Sequence, residues 1–387
     1  MKRSTERILT THVGSLPRPK TLLELMLARD AAEPFDAAAL AAQVENAVDG
    51  IVREQVTAGI DIVDDGEQGK ASFITYVNGR LGGFEPGGIR ANVWKESREG
   101  RAFPEFYASL PAPAGGKTVR PNQMVCRGPV VYTGHAQIAA EIATFKKALA
   151  AAGATEGFLP SISPSNVENW NRNEYYRDND EFLFAIAGAM NEEYRAIVDA
   201  GLLVQIDDPL LATYYARMPD KSIGDCRAWA ARRVEAVNHA LRGIPEDRVR
   251  FHTCYSVNMG PRTTDMELKD FADIMLGVRA GAYSFEAANP RHEHEWRVWK
   301  DIRLPAGKSL IPGVISHTTV LVEHPELVAE RIVRFAEAVG RENVIAGADC
   351  GFATFASSTE MHPSVVWAKL GSLVEGAKIA SARLWDK

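Results

Sequence analysis

Apolar and polar positions along this chain follow two alternating patterns. Short, nearly continuous apolar runs recur between longer segments whose apolar residues return every three to four positions. The first pattern is that of a strand buried on both faces, the second that of a helix with one buried stripe. Strands are predicted at residues 8–16, 60–64, 123–131, 202–207, 248–254, 282–286, 308–314 and 344–350. Helices are predicted at 22–29, 36–58, 138–152, 180–200, 225–241, 267–277, 325–339 and 364–381. Glycines at 59, 201 and 340 supply C-terminal stops. Residues 158–164 read as extended, but Pro160 and Pro164 argue against a central strand. Residues 78–121 are rich in Gly and Pro and lack a clear period, so they predict a long excursion over one face.

Eight strand–helix alternations without a dinucleotide or phosphate-binding glycine motif predict an α/β fold of the TIM type. It is a single (β/α)8 barrel over residues 1–387, with a long inserted loop after its second strand. In that fold chemistry sits at the C-terminal strand ends. His12, Ser15, Glu67, Asp207, His252, Cys254, Glu286, His317 and Cys350 all fall at such ends.

Composition narrows the class. Of 387 residues, 46% are hydrophobic and 24% charged, and the net charge of -6 is scattered. No basic block offers a nucleic-acid footprint, and no run of about 18 apolar residues offers a membrane span or follows the N-terminus as a signal would. Four cysteines in so long a chain do not make a disulfide framework, and a reducing cytoplasm is expected. The oligomeric state, a homo-oligomer included, is left open.

His252 and Cys254 are two residues apart on a strand, so their side chains point the same way. An imidazole and a thiol converging on one point begin a Zn2+ site. Glu286 and Cys350, at later strand ends, are the candidate third and fourth ligands. Two thiolates, a carboxylate and Zn2+ sum to roughly -1. Such a centre polarises carbonyls poorly, but it holds a substrate thiol, ordinarily of pKa about 8.5, as a nucleophilic thiolate. The chemistry expected is alkyl transfer onto sulfur.

With this set in view the chain resembles the catalytic barrel of the cobalamin-independent methionine synthase family. The likeness is carried by His252-x-Cys254, Glu286 and Cys350. Residues 11–17, Asp65-Gly66-Glu67, Gly128-Pro129-Val130, residues 205–209 and Asp349-Cys350-Gly351 add to it. It covers most of the chain, and the epoxyalkane:coenzyme M transferases are also similar. The resemblance implies a zinc-dependent S-methyltransferase of methionine biosynthesis. A small-molecule thiol acceptor, homocysteine by default, takes a methyl or small alkyl group from a donor. Ser15, with His12 in its loop, would hold the acceptor carboxylate, and Glu67 and Asp207 its amino group. His317 would deliver a proton to the leaving group, with Asp207 the other expected catalytic side chain. Gly128-Pro129-Val130 leads to Tyr132 and His135, and by spacing His135 takes the place of the tryptophan that stacks on folate in the family, so the donor is left open. The alternatives are opening of an epoxide by a coenzyme M-type thiol, and zinc hydrolysis. Asn289-Pro290-Arg291-His292-Glu293-His294 lies outside the family pattern, near the metal.

Overall fold

The computed structural model describes residues 1–31, 33–89, 93–109, 122–256, 260–356 and 361–386. Among the described residues eleven strands fall into two sheets. They are β1 Leu9–Thr10, β2 Ile62–Asp64, β3 Leu81–Ile89, β4 Asn122–Tyr132, β5 Glu156–Ile162 and β6 Arg172–Asn173. They continue with β7 Leu203–Asp207, β8 Val249–His252, β9 Ala282–Phe285, β10 Ser309–Ile315 and β11 Ile345–Ala348. Eight of them form a parallel sheet in the order β1-β11-β10-β9-β8-β7-β5-β2. A parallel bridge between Thr11 and Ile62 joins its two ends, so the sheet closes into a barrel.

Helices cover the barrel and begin and end where local chemistry dictates. Asp36 caps Ala37–Ala58 by accepting from the Ala38 and Ala39 amides, and Gly59 ends it at φ +91°. Ser222 and Asp225 form a reciprocal capping box at Ile223–Ala240. The predicted 267–277 helix is reduced to a 3-10 turn and the single short helix Ala272–Leu276.

The third barrel strand departs from expectation. Residues 123–131 do form a strand, but β4 pairs antiparallel with β3 and parallel with β6 in a separate three-stranded sheet. The barrel position belongs instead to β5, Pro160 included. The reason is directional. The Ser163 amide reaches Asp207 O on the β7 side, so by alternation Pro160 faces the other neighbour. There β2 pairs no further than Asp64 with Phe158, so no ladder bond is lost where proline lacks its N–H. Lys70 Nζ donates to Pro160 O in that gap, and the Ile162 amide reaches the Tyr76 hydroxyl. The excursion after β2 holds β3 and the short helices Arg98–Ala102 and Pro104–Ser109; residues 90–92 and 110–121 lie outside the described residues.

Inside the barrel, Ile62, Phe158, Leu203, Ala282, Ile311 and Ile345 come from six strands and pack together, with Leu9 and Met1 against them. Two residues further along the same strands stand Asp64, Pro160, Gln205, Ser284, Gly313 and Gly347. The floor is therefore apolar, and polarity begins one layer above it. Arg250 spans this layer, fully buried, donating to Thr11 Oγ1 at 3.0 Å and His12 O at 2.8 Å over the Phe158 ring. Gly313 is required by closeness: a Cβ there would stand 2.1 Å from Asp349 Oδ1 and 2.6 Å from its backbone nitrogen. Gly313→Ala is expected to cost about 1–3 kcal/mol of overpacking strain, read as a lowered denaturation midpoint.

Candidate metal centre and its surroundings

His252 is the last residue of β8, and Cys254 and Cys350 stand two residues beyond β8 and β11. One donor atom from each lies within 4.8 Å of the other two. The two sulfurs are 3.5 Å apart, well beyond the roughly 2.05 Å of a disulfide, and both cysteines are free. His252 Nδ1 lies 3.1 Å from Ser284 Oγ, and its Nε2 is buried with no hydrogen-bond partner among the described residues. With the proton on Nδ1, the Nε2 lone pair is left for a metal, the usual division of labour in a metal-binding imidazole. The Cys350 thiol donates to Cys254. That bond, with His252 beside it, holds Cys254 down to about 6 against the effect of burial, and pushes Cys350 up. The donor set therefore fits a soft divalent ion.

Glu286 follows β9 and belongs to a second group with His317 and Asp349, again with donor atoms within 4.8 Å. Its Oε1 accepts the Tyr255 amide at 2.7 Å and lies 3.9 Å from Arg262; its Oε2 accepts from Asn289 at 3.2 Å. Burial opposes its charge, but Arg262 and the nearby histidines hold its pKa below the usual carboxylate value. Burial, with Arg262 and Lys369 adding to it and Glu286 opposing, keeps His317 unprotonated down to about 4, and neither of its ring nitrogens has a partner among the described residues. Asp349 was not singled out from sequence. Its Oδ1 accepts the Ala287 and Ala288 amides at 2.8 Å each, and burial with Glu286 nearby pushes it up to about 7.

The expected acceptor-binding residues divide. Glu67 adopts φ +53° and points a buried Oε2 that has no partner among the described residues. Burial raises its pKa. Asp207, which accepts from Gln205 at 2.9 Å, is pushed by burial to about 7, with His252 opposing the rise. Ser15 lies against the β11 loop. Its carbonyl accepts the Phe352 amide at 3.0 Å, its Oγ the Ala353 amide at 3.4 Å, and a Cβ on Gly351 would stand 2.0 Å from that Oγ. Arg18, also overlooked in the sequence, staples the same loops by donating to Ala353 O, Glu67 O and Lys70 O at 2.7–2.9 Å. Only the motif Ser15-Leu16-Pro17-Arg18 could have drawn attention to it.

His12 is placed elsewhere. It is 1% exposed, with Nε2 2.8 Å from Gln55 and 3.5 Å from Asp64, a structural contact to the helix Ala37–Ala58. Tyr132 and His135 belong to the side sheet and the helix that follows it. Tyr132 donates to Glu193 at 2.7 Å, in a network with Tyr76, Ser161 and Arg80. His135 is exposed beside Glu192 at 2.8 Å.

Burial depresses His12 to about 4, below the 6.5 or so of an unfolded histidine. A base depressed in the folded state gives stability that is present above the unfolded value and lost as pH falls. Denaturation midpoints should therefore drop between about pH 6.5 and 4, with His12 contributing up to about 3 kcal/mol. His12→Asn, which cannot titrate, should flatten that slope; an unchanged slope would show His12 does not set it.

Among the described residues no helix is long and apolar enough to cross a membrane. Residues 117–378 match the family model of the cobalamin-independent synthase catalytic domain. The methionine synthase of Thermococcus kodakarensis is 26% identical over 97% of this chain and 94% of its own length. That of Saccharolobus solfataricus is 27% identical over 98% and 96%. Among solved structures, a B12-independent methionine synthase from a Shewanella species in complex with selenomethionine superposes with a TM-score of 0.73. It is 19% identical and covers 98% of this chain and 100% of that one. The putative vitamin-B12 independent methionine synthase of Listeria monocytogenes gives 0.66, also at 19% identity, over 96% and 98%. These likenesses in structure concern the barrel, but the match of sequence runs through both strand ends that carry the clustered thiols, and the chain belongs to the cobalamin-independent methionine synthase family.

Proposed function

We propose that the protein moves a methyl or small alkyl group onto a zinc-activated thiol, with homocysteine as acceptor and methionine as product. The observation that carries this reading is a ring nitrogen of His252 and two thiols within 4.8 Å of one another, with His252 Nε2 lacking a partner among the described residues and a carboxylate on the next strand end. His252, Cys254 and Cys350 would hold the ion, and Glu286 would be its exchangeable fourth donor. Zinc there would lower the pKa of the acceptor thiol and, in an electron-rich donor set, leave its sulfur nucleophilic.

The remaining residues act on the two substrates. Glu67 and Asp207 are both buried carboxyls, and Glu67 Oε2 has no partner among the described residues, the environment an ammonium group satisfies. Ser15 and the backbone around it would fix the acceptor carboxylate. As the sulfur–carbon bond forms, the bond from that carbon to the donor breaks, and the departing atom takes a proton. His317, near Asp349 and with no hydrogen-bond partner among the described residues, would pass it on. His12 and Tyr132 would support this site from a distance through Gln55 and Glu193, and His135 only through its edge contact with the Tyr132 ring.

The deciding experiment is a donor screen with homocysteine fixed, on protein whose zinc content is measured in parallel. Methyltetrahydrofolate with one or several glutamates, methylcobalamin, methylated amines and sulfonium compounds are the donors to try. Methionine formed from one of them, proportional to bound zinc, is the expected result. Zinc-loaded protein that forms methionine from none of them would remove homocysteine methylation and leave only the metal.

A further inference from the structure

The paired histidines after β9 are left without a role by this chemistry, and the structure treats them differently. His294 is exposed, whereas His292 is 3% exposed. Nδ1 of His292 lies 2.9 Å from Glu295 Oε2, and Nε2 lies 3.1 Å from Asp265 Oδ2. An ionised carboxylate only accepts, so both ring nitrogens donate and the ring is an imidazolium. It lies flat on the Tyr255 ring, with centroids 3.6 Å apart and planes 6° apart. Two neutral rings avoid such a face-to-face sandwich, but a cation on a phenol face is attracted to it.

Tyr255 is held at two further points. Its hydroxyl donates to Met266 O at 2.8 Å and its amide to Glu286 Oε1 at 2.7 Å. The carboxylates of the clamp are anchored in turn. Glu295 Oε1 accepts the Leu268 amide at 2.7 Å, and Asp265 is 3.5 Å from Arg262, which also approaches Glu286. A continuous line of contacts therefore runs from two buried carboxylates, through a cationic ring and a phenol, to the backbone joining Cys254 and to Glu286.

We propose that His292 is a positioning residue of the metal centre: clamped between Asp265 and Glu295 and stacked on Tyr255, it fixes the backbone after Cys254 and the orientation of Glu286. This rests on the zinc reading above. Outer partners of metal ligands commonly contribute about 10–100-fold in metal affinity, and His292 acts here through the ligand's neighbour.

The test follows zinc release from fully loaded protein to a chromophoric chelator. His292→Gly is expected to release zinc about 10–100-fold faster than the parent protein. Millimolar imidazole, which can refill the slot between the carboxylates and over Tyr255, should restore retention. Glu295→Gln should fall between the two, and His294→Ala should match the parent. A general loss of packing would not respond to imidazole. Folded His292→Gly protein that keeps zinc as the parent does, or a loss that imidazole does not reverse, overturns the proposal. If His292→Gly does not fold, Glu295→Gln with unaltered zinc release overturns it instead. A parent protein that binds no zinc defeats the reading of the metal centre, which the first comparison separates from failure of the clamp alone.

Discussion

Cys350→Ser is expected to leave a folded protein that neither retains zinc nor transfers alkyl groups. The hydroxyl has almost the volume of the thiol but does not ionise near neutrality, so the site would lose one of its two anionic sulfurs. Loss of a direct ligand should exceed the roughly 10–100-fold that outer partners cost. Zinc content should fall from about one per chain to a small fraction after dialysis against a chelator, and turnover should fall with it. Cys126→Ser is the matching control. Cys126 is equally buried but lies on the side sheet, where its thiol donates to Gly128 O at 3.2 Å, and its replacement should leave both quantities unchanged. Cys350→Ser protein with full metal and full turnover would end the zinc proposal.

Lys369→Met carries the second large effect, on folding and on His317 together. Lys369 lies in the helix Pro363–Trp385 with a wholly buried side chain. It pairs with Glu323 at 2.8 Å and donates to Leu321 O. Glu323, 8% exposed, uses its other oxygen to accept the Ser316 amide at 2.7 Å, one residue before His317. Removing the cation strands a buried carboxylate, which costs about 3–5 kcal/mol, a large share of the 5–15 kcal/mol or so that holds most domains folded. The turn carrying His317 would loosen at the same time, so turnover should drop while zinc content holds. Denaturant titration and zinc analysis check the two parts. Adding Glu323→Gln should recover much of the lost stability, because the orphaned charge goes with it. Equal stability of Lys369→Met and the parent would show that the pair contributes nothing net.

Seven of the eight barrel strands were legible as apolar runs because a parallel strand buried on both faces has no polar side to blur it. The eighth, β5, was hidden by Pro160, whose harmlessness depends on how far β2 extends. That is a matter of pairing, not of local composition. Residues 123–131 have every local property of a strand, and no local property states which sheet a strand joins. The convergence of His252, Cys254 and Cys350 followed from strand alternation and the rule of strand ends, and the structure brings them together. What escaped were long side chains bridging distant segments: Arg18 across three loops, Arg250 through the barrel, and Lys369 beneath the His317 turn. Their partners lie from 46 to 335 residues away, beyond the reach of any periodicity.

The closure of the barrel has a consequence for how it breathes. Every other neighbouring pair of strands shares a ladder of two or more residues, whereas β1 meets β2 through one bridge, Thr11 to Ile62. Much of what holds β1 in place comes from within, through Arg250 on Thr11 and His12 O and Gln205 on Val13 O. Transient opening should start along that seam, so amide protons flanking it should exchange with solvent ahead of those in β7 and β8. The chain would then unzip like a cuff at its fastening, leaving His252 and Cys254, at the end of β8 across the barrel from the seam, in place until global melting.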